Sequence, residues 1–316
     1  MAILPDGIQA HEEVLSLARR LAPGFYLDVG NVCNQYCLYC AVPRQQLYQT
    51  TMNQAKAQVA GAATLGFKTA VLIGGEPTIW PHLSATLALM PDYGLCQAVL
   101  TTNGLMLAYP EVLSRLTDRG VSTVGLSFDS FDPAVQIRLS RRQDYPEVIA
   151  RTLDNLATSR AHTYLYGVVT GDLVGQEDSF ADQAAGLARR FVVPPAIILA
   201  GLKPVEEGAH RFHGLCVSME QTAATVKAIA RRLEGVATVA YRDIPLCLMS
   251  GYLDRSLDLY HDNATVSLAT GEQSEAGFKN RRIFARQCDR CSMQSRCPGL
   301  YAGYVDHFGS REFLPL

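Results

Sequence analysis

"VCNQYCLYCAVPR", residues 32–44, sets Cys33, Cys37 and Cys40 into one short loop, with three residues between the first pair and two between the second. One disulfide needs two thiols, so the third has to be explained. Thiolates are soft ligands that suit zinc or iron–sulfur clusters. Structural zinc commonly takes four ligands from paired CxxC units; this loop offers three and has no His inside it. Three thiolates on a four-iron cube would leave one iron open, which matters only if a further molecule binds there. A zinc-binding loop is the other reading.

Outward from the loop, apolar runs alternate with helical patterns. GFYLDVG (24–30) feeds the cysteines. Strands are then expected at 68–75, 97–104, 123–130, 162–169 and 195–202, with a last one at 236–241. Helices are expected at 53–65, 81–90, 109–119, 144–159, 178–191 and 218–234. Continuously apolar strands separated by helices argue for a parallel sheet covered by helices. About six units fit an α/β partial (β/α)6 barrel, and an open doubly wound sheet is the alternative. Both put active residues at the carboxyl ends of strands, where the unusual residues of this chain fall. The expected domains are a lead-in helix in 1–24, a barrel over 25–241 and a small cysteine-bearing module over 242–316, with a hairpin near 261–272. No internal repeat or low-complexity linker interrupts them.

The 316 residues are 48% hydrophobic and 18% charged, with a formal net charge of −2. That balance gives no reason to expect a nucleic-acid partner, and no basic run stands out. The opening MAILPDGIQAHEEVL lacks a basic start, a long apolar stretch and a cleavage site. No window reaches the roughly 18–20 apolar residues of a membrane helix. A cytoplasmic location with no membrane partner is expected, and nine cysteines there read as metal or redox chemistry before disulfides. GxGxxG and GxxxxGK[ST] phosphate motifs are absent.

CxxxCxxC after a first strand, with Tyr39 before the last Cys, resembles the signature of radical S-adenosylmethionine (SAM) enzymes. The resemblance implies a 4Fe–4S cluster on Cys33, Cys37 and Cys40, whose open iron binds the amine and carboxylate of SAM. It also implies reductive cleavage of SAM to a 5′-deoxyadenosyl radical, and an external electron donor such as flavodoxin or ferredoxin. Gly74, Gly75, Glu76 and Pro77 match the family's GGEP motif, which receives the SAM amino group; glycines permit close backbone approach and a carboxylate suits an ammonium. Asn103 lies in a TNG sequence common in the family, which reads equally well as an Asn-Gly turn. Ser127 and Asp129 fall where ribose contacts are often found, and Arg138 where a basic partner of the SAM carboxylate is. Residues 168–170 and 198–201 are where adenine would pack.

A second group, Cys288, Cys291 and Cys297, joins Cys247 from upstream to give four thiolates. The spacing resembles the SPASM or twitch extensions that carry auxiliary 4Fe–4S clusters, with a zinc knot as the alternative. A further Cys four places on would be needed for a full SPASM module, and Tyr301 stands there, so the shorter twitch type with one cluster is expected. Of the two remaining cysteines, Cys96 reads as a buried packing residue. Cys216, between strand six and the long helix, resembles the hydrogen-atom donor of radical SAM epimerases, against a bland reading as a small apolar loop residue. His210, His213, Lys203 and Glu206 flank it and are candidates for polar substrate contacts.

The expected reaction is hydrogen abstraction from an unactivated C–H of a peptide or small natural product, with epimerisation favoured. Dehydrogenation or crosslinking through the auxiliary cluster is the alternative, and a non-catalytic zinc or cluster scaffold a third. About twenty-four residues precede the first strand. That is short for a fused peptide-recognition domain, which weakens a peptide substrate without removing it.

Overall fold

The computed structural model describes residues 8–21, 24–43, 45–260 and 282–316. The hairpin expected near 261–272 lies outside the described residues. Seven strands, β1 (Gly24–Asp28), β2 (Thr69–Ile73), β3 (Gln97–Thr102), β4 (Val121–Ser127), β5 (His162–Val169), β6 (Ala196–Gly201) and β7 (Val239–Arg242), form one sheet in chain order. Every neighbouring pair is parallel. Six strand–helix units therefore lead to a seventh strand, and among the described residues β1 and β7 do not pair with each other. The result is a curled, open half-barrel, an α/β fold as expected.

The strands are apolar on both sides because both faces are covered. Leu27, Leu72, Leu100 and Leu126 pack outward against the crossover helices. Val71, Val99, Tyr164, Ile198 and Ala240 pack inward against Val14, Leu17 and Leu21 of helix Glu12–Leu21. That helix runs into β1 and closes the amino ends of the strands, where Thr238 Oγ1 donates to Glu13 Oε2 at 2.8 Å. The carboxyl ends are left for loops.

Helix Met219–Arg232 starts where a capping box of Ser218 and Gln221 satisfies its first amides. Two further helices, Pro133–Ser140 and Glu206–Leu215, sit in segments where no helix is expected. They are short, and the first carries only a weak apolar stripe, so periodicity does not reveal it. At the C-terminus, Arg282–Ile283 pairs antiparallel with Leu300–Tyr301, and helix Ala302–Phe308 follows. Leu300, Tyr304 and Phe313 pack with Leu202, Phe212 and Met219 over the carboxyl-end mouth. No described helix is long and apolar enough to cross a membrane.

Candidate active site

The cysteine loop is clamped at both ends. Asn31, 2% exposed, follows β1. Its Nδ2 donates to the carbonyls of Pro43 (2.8 Å) and Gln46 (2.7 Å), and its Oδ1 accepts the Tyr48 amide at 2.8 Å. One buried amide thus ties the loop's exit to its entrance. Mid-loop, the Leu38 amide donates to Leu139 O at 2.9 Å, docking the loop on helix Pro133–Ser140. Cys33, Cys37 and Cys40 are half-buried thiols on this fixed frame.

The glycine turn after β2 rests on the same loop. Gly75 N–H donates to Gly30 O at 2.6 Å and Glu76 N–H to Val32 O at 2.9 Å. A Cβ on Gly75 would stand 2.1 Å from Val32 O; one on Gly74, whose φ is +143°, would stand 2.4 Å from Gly30 O. The close approach that requires these glycines is therefore to the protein's own cysteine loop. Pro77 opens a single 3₁₀ turn, Pro77–Ile79.

Glu76, expected to offer its carboxylate to an ammonium, is 1% exposed and turned into the protein. Oε1 accepts from Thr78 N (3.0 Å), Thr78 Oγ1 (2.5 Å) and Thr102 Oγ1 (2.7 Å), and Oε2 from Asn103 N (2.8 Å). Burial pushes this carboxyl up from its ordinary range, and the hydrogen bonds pull it only part of the way back. Asn103 Nδ2 donates to Asn34 Oδ1 at 2.8 Å and lies 3.8 Å from Cys33 Sγ. The chain Glu76–Asn103–Cys33 joins the GGEP and TNG turns to the first cysteine.

At the end of β4, half-buried Asp129 accepts the Val168 amide at 2.9 Å and the Tyr39 hydroxyl. Ser127 offers its carbonyl to Tyr145 Oη at 2.9 Å. Arg138 is paired with Asp172, which also accepts from Thr170 Oγ1 at 3.0 Å. Val168 packs partly buried in the same apolar cluster as Leu38 and Tyr39, whereas Ile198 belongs to the inner wall deeper in the barrel. Asn31, Leu139 and Tyr145 escaped the sequence reading. Only Asn31, a lone amide at a strand end just before three thiols, left a local signal.

Burial raises the Asp129 carboxyl from 3.8 to about 6, with the Asp172 charge adding and the Tyr39 and Val168 hydrogen bonds opposing. The folded state therefore holds this proton more tightly than the unfolded chain does. Its contribution to stability is fully present below about pH 4 and is lost as pH rises through about 6. Asp129→Asn, which cannot titrate, is expected to flatten that part of the profile in urea unfolding measured from pH 4 to 7. An unchanged slope in the variant would contradict the assignment.

The four C-terminal cysteines, Cys247, Cys288, Cys291 and Cys297, line one hollow together with Leu246, Met293, Leu300 and Phe313. Backbone amides point at two of the sulfurs: Gly299 N–H at Cys297 Sγ and Leu316 N–H at Cys291 Sγ, each 3.5 Å away. Burial pushes the Cys247 thiol up to about 11, reinforced by the charges its three neighbours would carry. Among the described residues, no three His, Cys, Asp or Glu side chains converge on a position for a single metal ion.

Cys216 caps helix Glu206–Leu215 and is half-buried in the cluster that holds Leu38, Tyr39 and Tyr304. The side chains of Glu206 and His210 lie outside the described residues. His213 is exposed, with its Nδ1 2.9 Å from Nδ1 of His307. Lys203 Nζ pairs with Asp243 Oδ2 at 2.8 Å. Cys96, expected in the core, is exposed, because it stands at the turn after Gly94 and ahead of β3.

A triple-cysteine loop at the carboxyl end of an open parallel barrel defines a class, and residues 27–179 match the Radical SAM superfamily. The chain carries a radical SAM domain, which implies a 4Fe–4S cluster and SAM. The donor set fits both: three thiols on a clamped loop, with an amide nitrogen beside the first sulfur. Among known proteins, the chain is 28% identical to the GTP 3′,8-cyclase of Heliobacterium modesticaldum over 66% of this chain and 63% of that one. It is 31% identical to the GTP 3′,8-cyclase of Pseudomonas entomophila over 52% of this chain and 48% of that one. The chain spans less than two thirds of the length of these curated relatives. In fold it is similar to Streptococcus suis SuiB bound to S-adenosylmethionine, with a TM-score of 0.64 at 13% identity, covering 96% of this chain and 80% of SuiB. SuiB has also been solved bound to its precursor peptide SuiA.

Proposed function

We propose that this chain is a radical SAM enzyme acting on an unactivated C–H bond of a peptide or small natural product, with inversion at that carbon as the favoured outcome. The observation that carries the chemistry is the locked arrangement of Cys33, Cys37 and Cys40 against the GGEP turn and Asn103. When bound on those thiols, a 4Fe–4S cluster with SAM supplies the electron that splits the cofactor into methionine and a hydrogen-abstracting 5′-deoxyadenosyl radical. Glu76 is a positioning residue, holding the Asn103 amide and the glycine turn in register with the loop. Gly74, Gly75 and Pro77 then present backbone groups to the SAM amine. Tyr39 and Asp129, bonded to each other, form the floor at β4 for the ribose, with Ser127 beside them. Arg138 reaches the SAM carboxylate only by leaving Asp172.

Inversion rests on Cys216. It packs against the same apolar cluster as Tyr39 of the cysteine loop, and burial pushes its thiol up, so it keeps its proton at neutral pH. A hydrogen-atom donor must carry that hydrogen. The substrate carbon radical takes H from Sγ, and the sulfur radical left behind is restored by one electron from a donor such as flavodoxin or ferredoxin and one proton from water. The four-thiol hollow favours a second reading, in which an auxiliary 4Fe–4S cluster accepts an electron and the outcome is dehydrogenation or crosslinking. The relatives give the substrate two directions: the GTP 3′,8-cyclases act on GTP, and the solved neighbour SuiB binds a peptide.

Anaerobically reconstituted protein with dithionite and SAM is expected to release 5′-deoxyadenosine, and none at all would end the enzyme reading. With a converted substrate in heavy water, inversion places one solvent deuterium at the new centre. Cys216→Ala is expected to stop that product; a variant that still makes product would favour the oxidative outcome.

A further inference from the structure

The far edge of the sheet carries charge that the SAM site does not use. Ala240 on β7 faces the barrel interior with Val71, Val99, Tyr164 and Ile198. Strand alternation therefore turns Arg242, two residues on, into the same lumen. Its side chain is 30% exposed, and its Nε lies 3.6 Å from Asp258 Oδ1. That Nε is buried without a hydrogen-bond partner among the described residues.

The neighbouring carboxylates are already committed. Asp258 Oδ2 accepts the Asp243 amide at 2.8 Å. Asp243, 6% exposed, takes Lys203 on one oxygen and Arg282 on the other. Its backbone is left-handed, with φ +59°, a conformation a non-glycine residue adopts when its surroundings impose it. Arg282 also lies over the Tyr301 ring, 4.7 Å from its centroid, and donates to Pro298 O at 2.6 Å. Three cations thus face two carboxylates inside the mouth, and the guanidinium with the weakest anchoring is the one aimed at the lumen. A guanidinium whose buried Nε has no hydrogen-bond partner among the described residues and which makes a single long ion pair is costly unless an anion completes it, and a bidentate oxyanion matches its planar fork.

We propose that Arg242, flanked by Lys203 and Arg282, receives an oxyanion of the substrate, a carboxylate or a phosphate, and so sets the substrate's register in the barrel. This deepens the enzyme reading above and rests on the barrel mouth being the active site.

The test is calorimetric titration of the iron-loaded protein with inorganic phosphate in one arm and acetate in the other. Wild type is expected to bind one of them saturably, the better anion naming the group. Arg242→Gln is expected to weaken that binding at least about tenfold, or about 1.4 kcal/mol, while Arg232→Gln, at an exposed ion pair, leaves it unchanged. Should Arg242→Gln fail to fold, Arg242→Lys keeps the charge without the fork and is expected to lose several-fold. No saturable binding by wild type, or equal binding by wild type and the Arg242 variants, overturns the inference. Neither readout involves SAM cleavage, so an inert enzyme that still binds anion through Arg242 would refute the catalytic reading alone.

Discussion

Glu76→Ala is expected to strip the first iron site while leaving most of the barrel folded. The carboxylate has one neighbour set: two donors from Thr78, one from Thr102 and the Asn103 amide, all within 3.0 Å. Removing it leaves buried amides without an acceptor, each costing about 1–3 kcal/mol. The loss is local because those donors belong to the two turns that carry the cysteine loop. Metal affinity falls by about 10–100-fold when a supporting contact behind a ligand is lost, and here two turns lose their common anchor. Glu76→Gln is expected to do less damage: its carbonyl serves one donor set while its NH₂ opposes the other. Iron per chain after anaerobic reconstitution, with 5′-deoxyadenosine formation, reads the effect. An alanine variant with wild-type iron and turnover would show that Glu76 does not hold the site together.

That prediction came from the structure, although its residue was conspicuous in the sequence. GGEP and CxxxCxxC are contiguous, because backbone approach and chelation both impose short spacings, and so they can be read from a string. What Glu76 touches cannot, since Asn103 is contributed by the next strand. The same holds for Arg138, whose partner Asp172 stands 34 residues away. Apolar runs announced all seven strands, since a sheet covered on both faces leaves little room for polar residues. The helices Pro133–Ser140 and Glu206–Leu215 were missed because their few apolar positions pack on loops and the C-terminal segment. Cys96 misled for the opposite reason: it is apolar beside an apolar strand, yet the turn at Gly94 turns it to solvent. Of the lumen cluster only Lys203 stood out, because Lys203, Arg242, Asp258 and Arg282 come together only through the sheet and the C-terminal segment.

Cys297→Ala is expected to remove about half of the iron, from about eight atoms per chain to about four, on the reading that both cubes are present. Cys297 is the thiol at which the Gly299 amide points, and it sits where the hollow meets Leu246 and Met293. Alanine there removes a ligand and also the acceptor that orders the turn into Leu300, which packs over the barrel mouth with Phe212 and Met219. Thermal stability is therefore expected to fall with the iron, because a site assembled only in the folded chain contributes its binding free energy to folding. 5′-Deoxyadenosine formation is expected to survive, since the described hydrogen bonds that hold the Cys33, Cys37 and Cys40 loop run through Asn31, Leu139, Glu76 and Asn103. If wild type instead holds about four irons and one zinc, the hollow is a structural knot and the oxidative reading falls. If Cys297→Ala changes neither metal content nor melting temperature, the four thiols share a hollow without sharing a ligand.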